Sequence, residues 1–259
     1  MAVSLHADVY IPGQSAIHRW AARPKLLSLL GLMFAIAMVR HLVLLPWVFG
    51  VVISLYLWSQ LPFTYLCRRL PYPGLFIVAM VGLLPWISGE TVLWQGWIFS
   101  LRLEGIQMAA LIAGRFLAIL TTGFVLLGTT PFLTLLEAMR SLGIPTLLTD
   151  MTLLTYRYLF DVANQLATMR QAMELRGYGH SRQTLRRHWN WLAALFGSLL
   201  LRSYEQSQRV YSAMRLRGYG QQPPRALQRT AGAALTLPTI LTLTAAVSVV
   251  ICELSLASL

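Results

Sequence analysis

The chain has 259 residues, 56% of them hydrophobic and only 12% charged, with a mean hydropathy of +0.60 and a formal net charge of +12. Soluble domains carry about a quarter charged residues, and a chain of this length could bury a good core without so strong a bias. Residues 42–66 hold no charge in 25 positions and residues 230–252 none in 23, where about 20 apolar residues cross the ~30 Å hydrocarbon core, so an ordinary soluble domain is excluded.

The fold class expected is all-α: a polytopic membrane protein with about five spans and long amphipathic helices outside them. Residues 1–25 are mixed polar, with 1–22 expected as a cytoplasmic N-terminal segment. No small-residue cleavage pattern follows the apolar run at 26–39, so this segment is read as an N-terminal tail and not as a secretory leader. Spans are expected at about 23–39, 42–61, 74–92 and 104–127, which makes 23–127 a membrane region. Arg40 and His41 mark a tight turn between the first two. Trp86, Trp94 and Trp97 cluster after the third, as interfacial aromatics do. Arg115 is the one charge deep in an expected span. Intramembrane arginine is costly and marks a functional candidate with a partner inside the bundle; backbone carbonyls are its structural alternative. Residues 128–230 follow as a basic extramembrane region, and 231–259 hold a fifth span, about 231–252, and the C-terminus.

Orientation follows from the basic residues. Arg19, Arg23 and Lys25 precede the first span, and Arg68 and Arg69 follow the second. Residues 128–230 hold 13 of the 21 Lys+Arg against five acids. The opposite loops offer Arg40 and Arg102. The positive-inside rule puts the N-terminus and 128–230 in the cytoplasm.

Within 128–230, Pro145 and Thr149-Asp150 signal a helix start. Leu159, Val162, Leu166, Met169 and Met173 then recur at helical spacing. This helix stops where Gly177 and Gly179 follow Arg176. A second helix starts near Trp189–Trp191 and runs to Arg217, with Glu205 and Arg209 placed for an i, i+4 pair; it stops at Gly218 and Gly220. The stops are nearly the same phrase: "AMELRGYG" at 172–179 and "AMRLRGYG" at 213–220. Helix capping needs only the glycine, and the helix dipole favours the arginine. Neither requires Ala-Met before or tyrosine after. Two like ends suggest two like receivers, and a guanidinium on a rigid rod suits a carboxylate-bearing groove.

These stretches resemble the transmembrane T component of energy-coupling factor (ECF) transporters, of the CbiQ/NikQ type serving cobalt or nickel uptake. "SAIHRWAARPKLL" (15–27) is similar to that family's entry motif, with Ala21-Ala22 where the family tends to have Asp-Pro. "TTPFLTLLEAMRSLGIP" (129–145) resembles its exit from the last span before the coupling helices. "LTYRYLFDVANQLATMRQAMELRGYG" (154–179) and "LRSYEQSQRVYSAMRLRGYG" (201–220) resemble the two coupling helices. The resemblance implies that 128–230 is a coupling-helix region whose Ala-Arg-Gly ends dock in two ABC-type ATPase subunits. Here the ends read Leu175-Arg176-Gly177 and Leu216-Arg217-Gly218. It further implies a separate substrate-binding membrane S component as partner.

Chemistry of other kinds is not expected of this chain. A Walker A needs Gly-Lys-Ser/Thr, and the sole lysine, Lys25, precedes Leu26. The histidines (His6, His18, His41, His180, His188) are scattered, so no metal or cofactor site is expected here. Cys67 and Cys252 form no CxxC. Glu137 and Arg140 are read as a solvated helix pair. Twenty arginines to one lysine without an aromatic-interleaved basic patch do not point to nucleic acid. The alternative function is a membrane-embedded assembly factor or enzyme that uses the basic face for lipid or protein binding.

Overall fold

A computed structural model describes residues 10–87, 92–95, 100–177, 185–220 and 237–257. The described chain is helical apart from a short antiparallel pair, β1 (Val92–Gln95) with β2 (Ser100–Arg102). Its helices are α1 (Ala22–Met38), α2 (Leu45–Ser59, preceded by a 3-10 turn at Leu42–Leu44), α3 (Phe63–Arg69), α4 (Pro71–Ile87), α5 (Leu103–Thr129), α6 (Phe132–Ser141), α7 (Thr146–Leu175), α8 (Leu185–Leu216) and α9 (Leu237–Ala257). The chain divides into two compact units, one of residues 8–138 with 232–259 and one of 139–231 with 1–7.

The first unit is the membrane unit. By length and composition three of its helical segments can cross a bilayer: Leu42–Ser59, Gly105–Thr129 and Leu237–Leu256. A fourth crossing arises if Phe63–Arg69 and Pro73–Leu83 act as one span bent by 56°. Pro71 and Pro73 explain the bend, since each lacks a backbone donor and clashes with the preceding turn. The expected third span, 74–92, falls on α4, and its residues 88–91 lie outside the described residues. The expected first span falls on α1, which at 17 residues is not one of these crossing segments, so among the described residues the crossings number three or four and not the expected five. Residues 231–236 of the expected fifth span, and Trp97, lie outside the described residues.

Packing in this unit fits a lipid solvent. Leu32, Ala35, Ile36, Val39, Val48, Val52, Ala118, Ala246 and Val249 form one buried cluster across α1, α2, α5 and α9. Small residues let the backbones approach, as in other membrane bundles. At Gly114 a β-carbon would fall 2.6 Å from a Leu45 methyl. Large apolar side chains point outward: Phe34 is 72% and Val43 78% exposed. In water such a surface would aggregate, whereas in a bilayer it faces acyl chains. Three hydroxyls of α5 are satisfied locally, Thr121, Thr122 and Thr129 each donating to the carbonyl four residues back, whereas Ser59 Oγ in α2 is buried without a partner among the described residues.

Candidate coupling site

The second unit holds the doubled phrase. α7 starts at Thr146 with Pro145 as its N-cap, three residues before the Thr149-Asp150 signal. Proline's fixed φ and missing N–H suit a helix entrance. α8 starts at Leu185, four residues before Trp189. The two helices meet through their side-chain amides, Gln165 Nε2 donating to Gln206 Oε1 at 3.2 Å. Nearer the ends, the Tyr219 hydroxyl donates to Asp150 Oδ2 at 2.9 Å. Moving back along α7 thus corresponds to moving forward along α8, so the helices run antiparallel.

Gln165 and Gln206 are 41 residues apart, the same offset that separates the two copies of the phrase. The helix pair is therefore related by a local quasi-twofold axis through this amide contact. Arg176 and Arg217 each lie 11 residues beyond it, about 16 Å along their own helices, in opposite directions.

The two ends are built alike. α7 ends at Leu175 and Arg176 is its C-cap; Gly177 takes φ +83° and its N–H reaches the Glu174 carbonyl at 3.0 Å. α8 ends at Leu216; Gly218 takes φ +75° and its N–H reaches the Arg215 carbonyl at 3.0 Å. Tyr219 N–H then reaches back to the Met214 carbonyl at 3.0 Å, completing a Schellman exit. No atom lies within 4 Å of a β-carbon placed on either glycine. The left-handed φ alone calls for glycine there. Tyr178 and Gly179 lie outside the described residues.

Leu175 is 84% and Leu216 90% exposed. Arg176 and Arg217 are exposed as well, and neither forms an ion pair among the described residues. Each helix thus presents an unpartnered apolar side chain beside an unpartnered guanidinium, which suits an apolar groove with a carboxylate in it. The tyrosine of the second phrase has its own task in fixing the α8 tip against α7. The Asp150 hydrogen bond, followed by slight burial and the carboxylate's charge, raises the pKa of the Tyr219 hydroxyl, so it stays a donor.

Of two expected side-chain pairs, one is replaced and one is present. Arg140 pairs with Asp150 (3.8 Å) and not with Glu137, because α7 returns Asp150 to its side. Glu205 and Arg209 do pair, at 3.9 Å on an exposed face, where the contribution is at most a few tenths of a kcal/mol. Arg115 stands apart from the six tip residues, in the membrane unit. Its Nη1 donates to the Ala37 carbonyl at 3.4 Å, so it finds a backbone partner, and it also lines a cavity with Glu253.

Lys25 was legible only as a basic residue flanking the first span. It is 1% exposed, and its Nζ donates to the carbonyls of Ile17 (3.0 Å) and Thr129 (3.2 Å). Ile11 N–H caps the neighbouring Gly128 carbonyl at 2.9 Å. The N-terminal segment therefore closes the last carbonyls of α5, which no helix partner can satisfy. His18 holds that segment's shape, its ring nitrogens bonded to Ser15 Oγ (2.6 Å) and the Ile11 carbonyl (3.0 Å). Ile17 and Trp20 pack with Leu61 and Val125 behind it.

Residues 13–227 match the family described as CbiQ, cobalt transport protein. The chain is 30% identical over 194 residues to the cobalt transport protein CbiQ of Rhodobacter capsulatus, covering 72% of this chain and 77% of that one. It is 30% identical over 214 residues to the nickel permease LarQ of Lactiplantibacillus plantarum (79% and 69% covered). To the energy-coupling factor transporter transmembrane protein EcfT of Lactococcus lactis it is 24% identical over 224 residues (81% and 82%). A further match, 33% identical over 116 residues to an uncharacterized Methanocaldococcus jannaschii protein, spans 42% of that protein's length.

Proposed function

Because the chain belongs to the CbiQ family of cobalt transport proteins, we propose that it is the transmembrane coupling (T) subunit of an energy-coupling factor transporter for cobalt, with nickel as the alternative ion. It is a multi-pass membrane component of a transporter and not itself an enzyme. ATP hydrolysis belongs to two ABC-type ATPase subunits, and the metal ion is held by a substrate-binding membrane S component.

What supports this reading most is the paired geometry of Leu175-Arg176-Gly177 and Leu216-Arg217-Gly218. Two equivalent tips about a quasi-twofold axis match a motor made of two equivalent subunits. Each tip seats in a groove of one ATPase, arginine on a carboxylate and leucine on the apolar wall. When the ATPases move relative to one another, the rods shift about the Gln165–Gln206 contact and carry the motion toward the membrane unit. The alternative, a membrane-embedded assembly factor or enzyme that uses its basic cytoplasmic face for lipid or protein binding, is not favoured by the match to transport components over most of the chain.

The assembly is tested by purifying the tagged chain from its native membranes in mild detergent and identifying what accompanies it. Two ATPase copies and a small apolar membrane protein are expected. Recovery of the chain alone, under conditions that preserve known membrane complexes, would count decisively against the proposal.

The orientation that serves this function places the N-terminus and residues 128–230 in the cytoplasm, as the charge distribution favours. Single cysteines introduced at Trp94 or Leu259 are expected to react with an impermeant maleimide in intact cells, and one at Ser181 only after lysis. Labelling at Ser181 in intact cells would reverse the topology.

A further inference from the structure

Within the membrane unit, α1, α5 and α9 enclose an open cavity of about 510 Å3 whose charged lining is Arg40, Arg115 and Glu253. Glu253 is only 9% exposed. Its Oε1 accepts the Arg40 backbone N–H at 2.9 Å and lies 3.9 Å from His41 Nε2. Its Oε2 is buried and has no partner. Across the same cavity, Arg115 spends one Nη1 on the Ala37 carbonyl, and its buried Nε–H also has no partner. Opposite charges thus line one cavity, and among the described residues no ion pair joins them. In a low-dielectric interior each unmet group is expensive.

A ligand that meets both must carry an anion for Arg115 and Arg40 and an N–H cation for Glu253, a short distance apart. Position narrows the choice. Glu253 lies three residues from the Leu256 end of its crossing segment and Arg40 two residues past the Met38 end of α1, where a hydrocarbon core crossed by about 20 residues gives way to lipid headgroups. Arg115, ten residues inside Gly105–Thr129, reaches the same cavity from deeper in α5. Met38, Val250 and Leu254 supply apolar wall beside the charges. We propose that this cavity binds the phosphoethanolamine headgroup of a zwitterionic membrane phospholipid, its phosphate on Arg115 and Arg40 and its primary ammonium on Glu253. Phosphatidylglycerol lacks the cation, and the quaternary ammonium of phosphatidylcholine has no N–H to give Glu253.

The test uses the transporter complex, delipidated and returned to nanodiscs of phosphatidylcholine doped with either phosphatidylethanolamine or phosphatidylglycerol. Lipids retained after re-extraction are counted by native mass spectrometry, and thermal midpoints are read alongside. The wild type should retain phosphatidylethanolamine roughly tenfold over either other lipid, the scale of one charge-assisted hydrogen bond. Its midpoint should rise with that lipid alone. Glu253→Gln should abolish the preference, and Arg115→Lys should reduce it. Soluble glycerophosphoethanolamine should compete only weakly if the lipid, and not a free headgroup, is the ligand; strong competition would overturn that assignment. Equal retention of all three lipids by the wild type, a measurement independent of any variant's folding, would overturn the proposal. So would an unchanged preference in Glu253→Gln.

Discussion

Arg176→Glu combined with Arg217→Glu should abolish recovery of the ATPase subunits with this chain and eliminate metal uptake. Each arginine stands free on its tip, so a partner carboxylate that receives it loses its counter-charge when the arginine is truncated. Breaking a desolvated pair of that kind costs about 2–5 kcal/mol, which is about 30- to 4,000-fold in affinity. Charge reversal adds repulsion at both ends. The tips lie far enough apart for the two losses to add approximately. By the local symmetry, Arg176→Ala and Arg217→Ala should each impair uptake to a similar degree. Lysine should rescue only in part, because it keeps the charge without the bidentate fork. If the arginines serve only as helix-end cations, the loss is about 1 kcal/mol or less and lysine is as good as arginine. ATPase co-purification and uptake across the Ala, Lys and Glu series separate the two, and normal assembly of the double Glu variant would leave the tips as helix ends and nothing more.

Lys25→Met should destabilise the membrane unit strongly. The substitution leaves the Ile17 and Thr129 carbonyls without their donor, and a hydrogen bond to a charged group contributes about 1.5–3 kcal/mol. Relief of the buried charge offsets part of that loss. The net effect should lower the thermal midpoint by roughly 5–10 °C for a chain of this size. The neighbouring exposed Arg19 is the control: Arg19→Met should change stability by less than about 0.5 kcal/mol. Equal midpoints for Lys25→Met and Arg19→Met would show that the ammonium does not hold the end of α5.

Much of this architecture is legible in the chain. Charge-free runs mark α2 and α9, and helical spacing with paired Leu-Arg-Gly ends marks α7 and α8. A helix end is decided within a few residues, because glycine alone adopts the positive φ found at Gly177 and Gly218 without strain. The charge asymmetry likewise supports an orientation without any coordinates. The broken pair α3–α4 was half visible, since Pro71 and Pro73 announce a disruption but not its angle.

What tertiary structure alone decided is which polar groups meet. Lys25 reads as a solvated flank and is instead buried against a carbonyl 104 residues away. Arg140 turns from Glu137 to Asp150, Gln165 finds its own repeat equivalent in Gln206, and Arg115 shares a cavity with Glu253 near the other end of the chain. In a lipid-embedded bundle the inner and outer helix faces are equally apolar, so hydrophobic periodicity does not say which face is buried or against which neighbour. Local sequence therefore determined the helices, their ends and the duplicated tips, while the surroundings of the buried polar groups were decided only when the helices packed, because Lys25, Arg115 and Glu253 each meet a group from a segment distant in the chain.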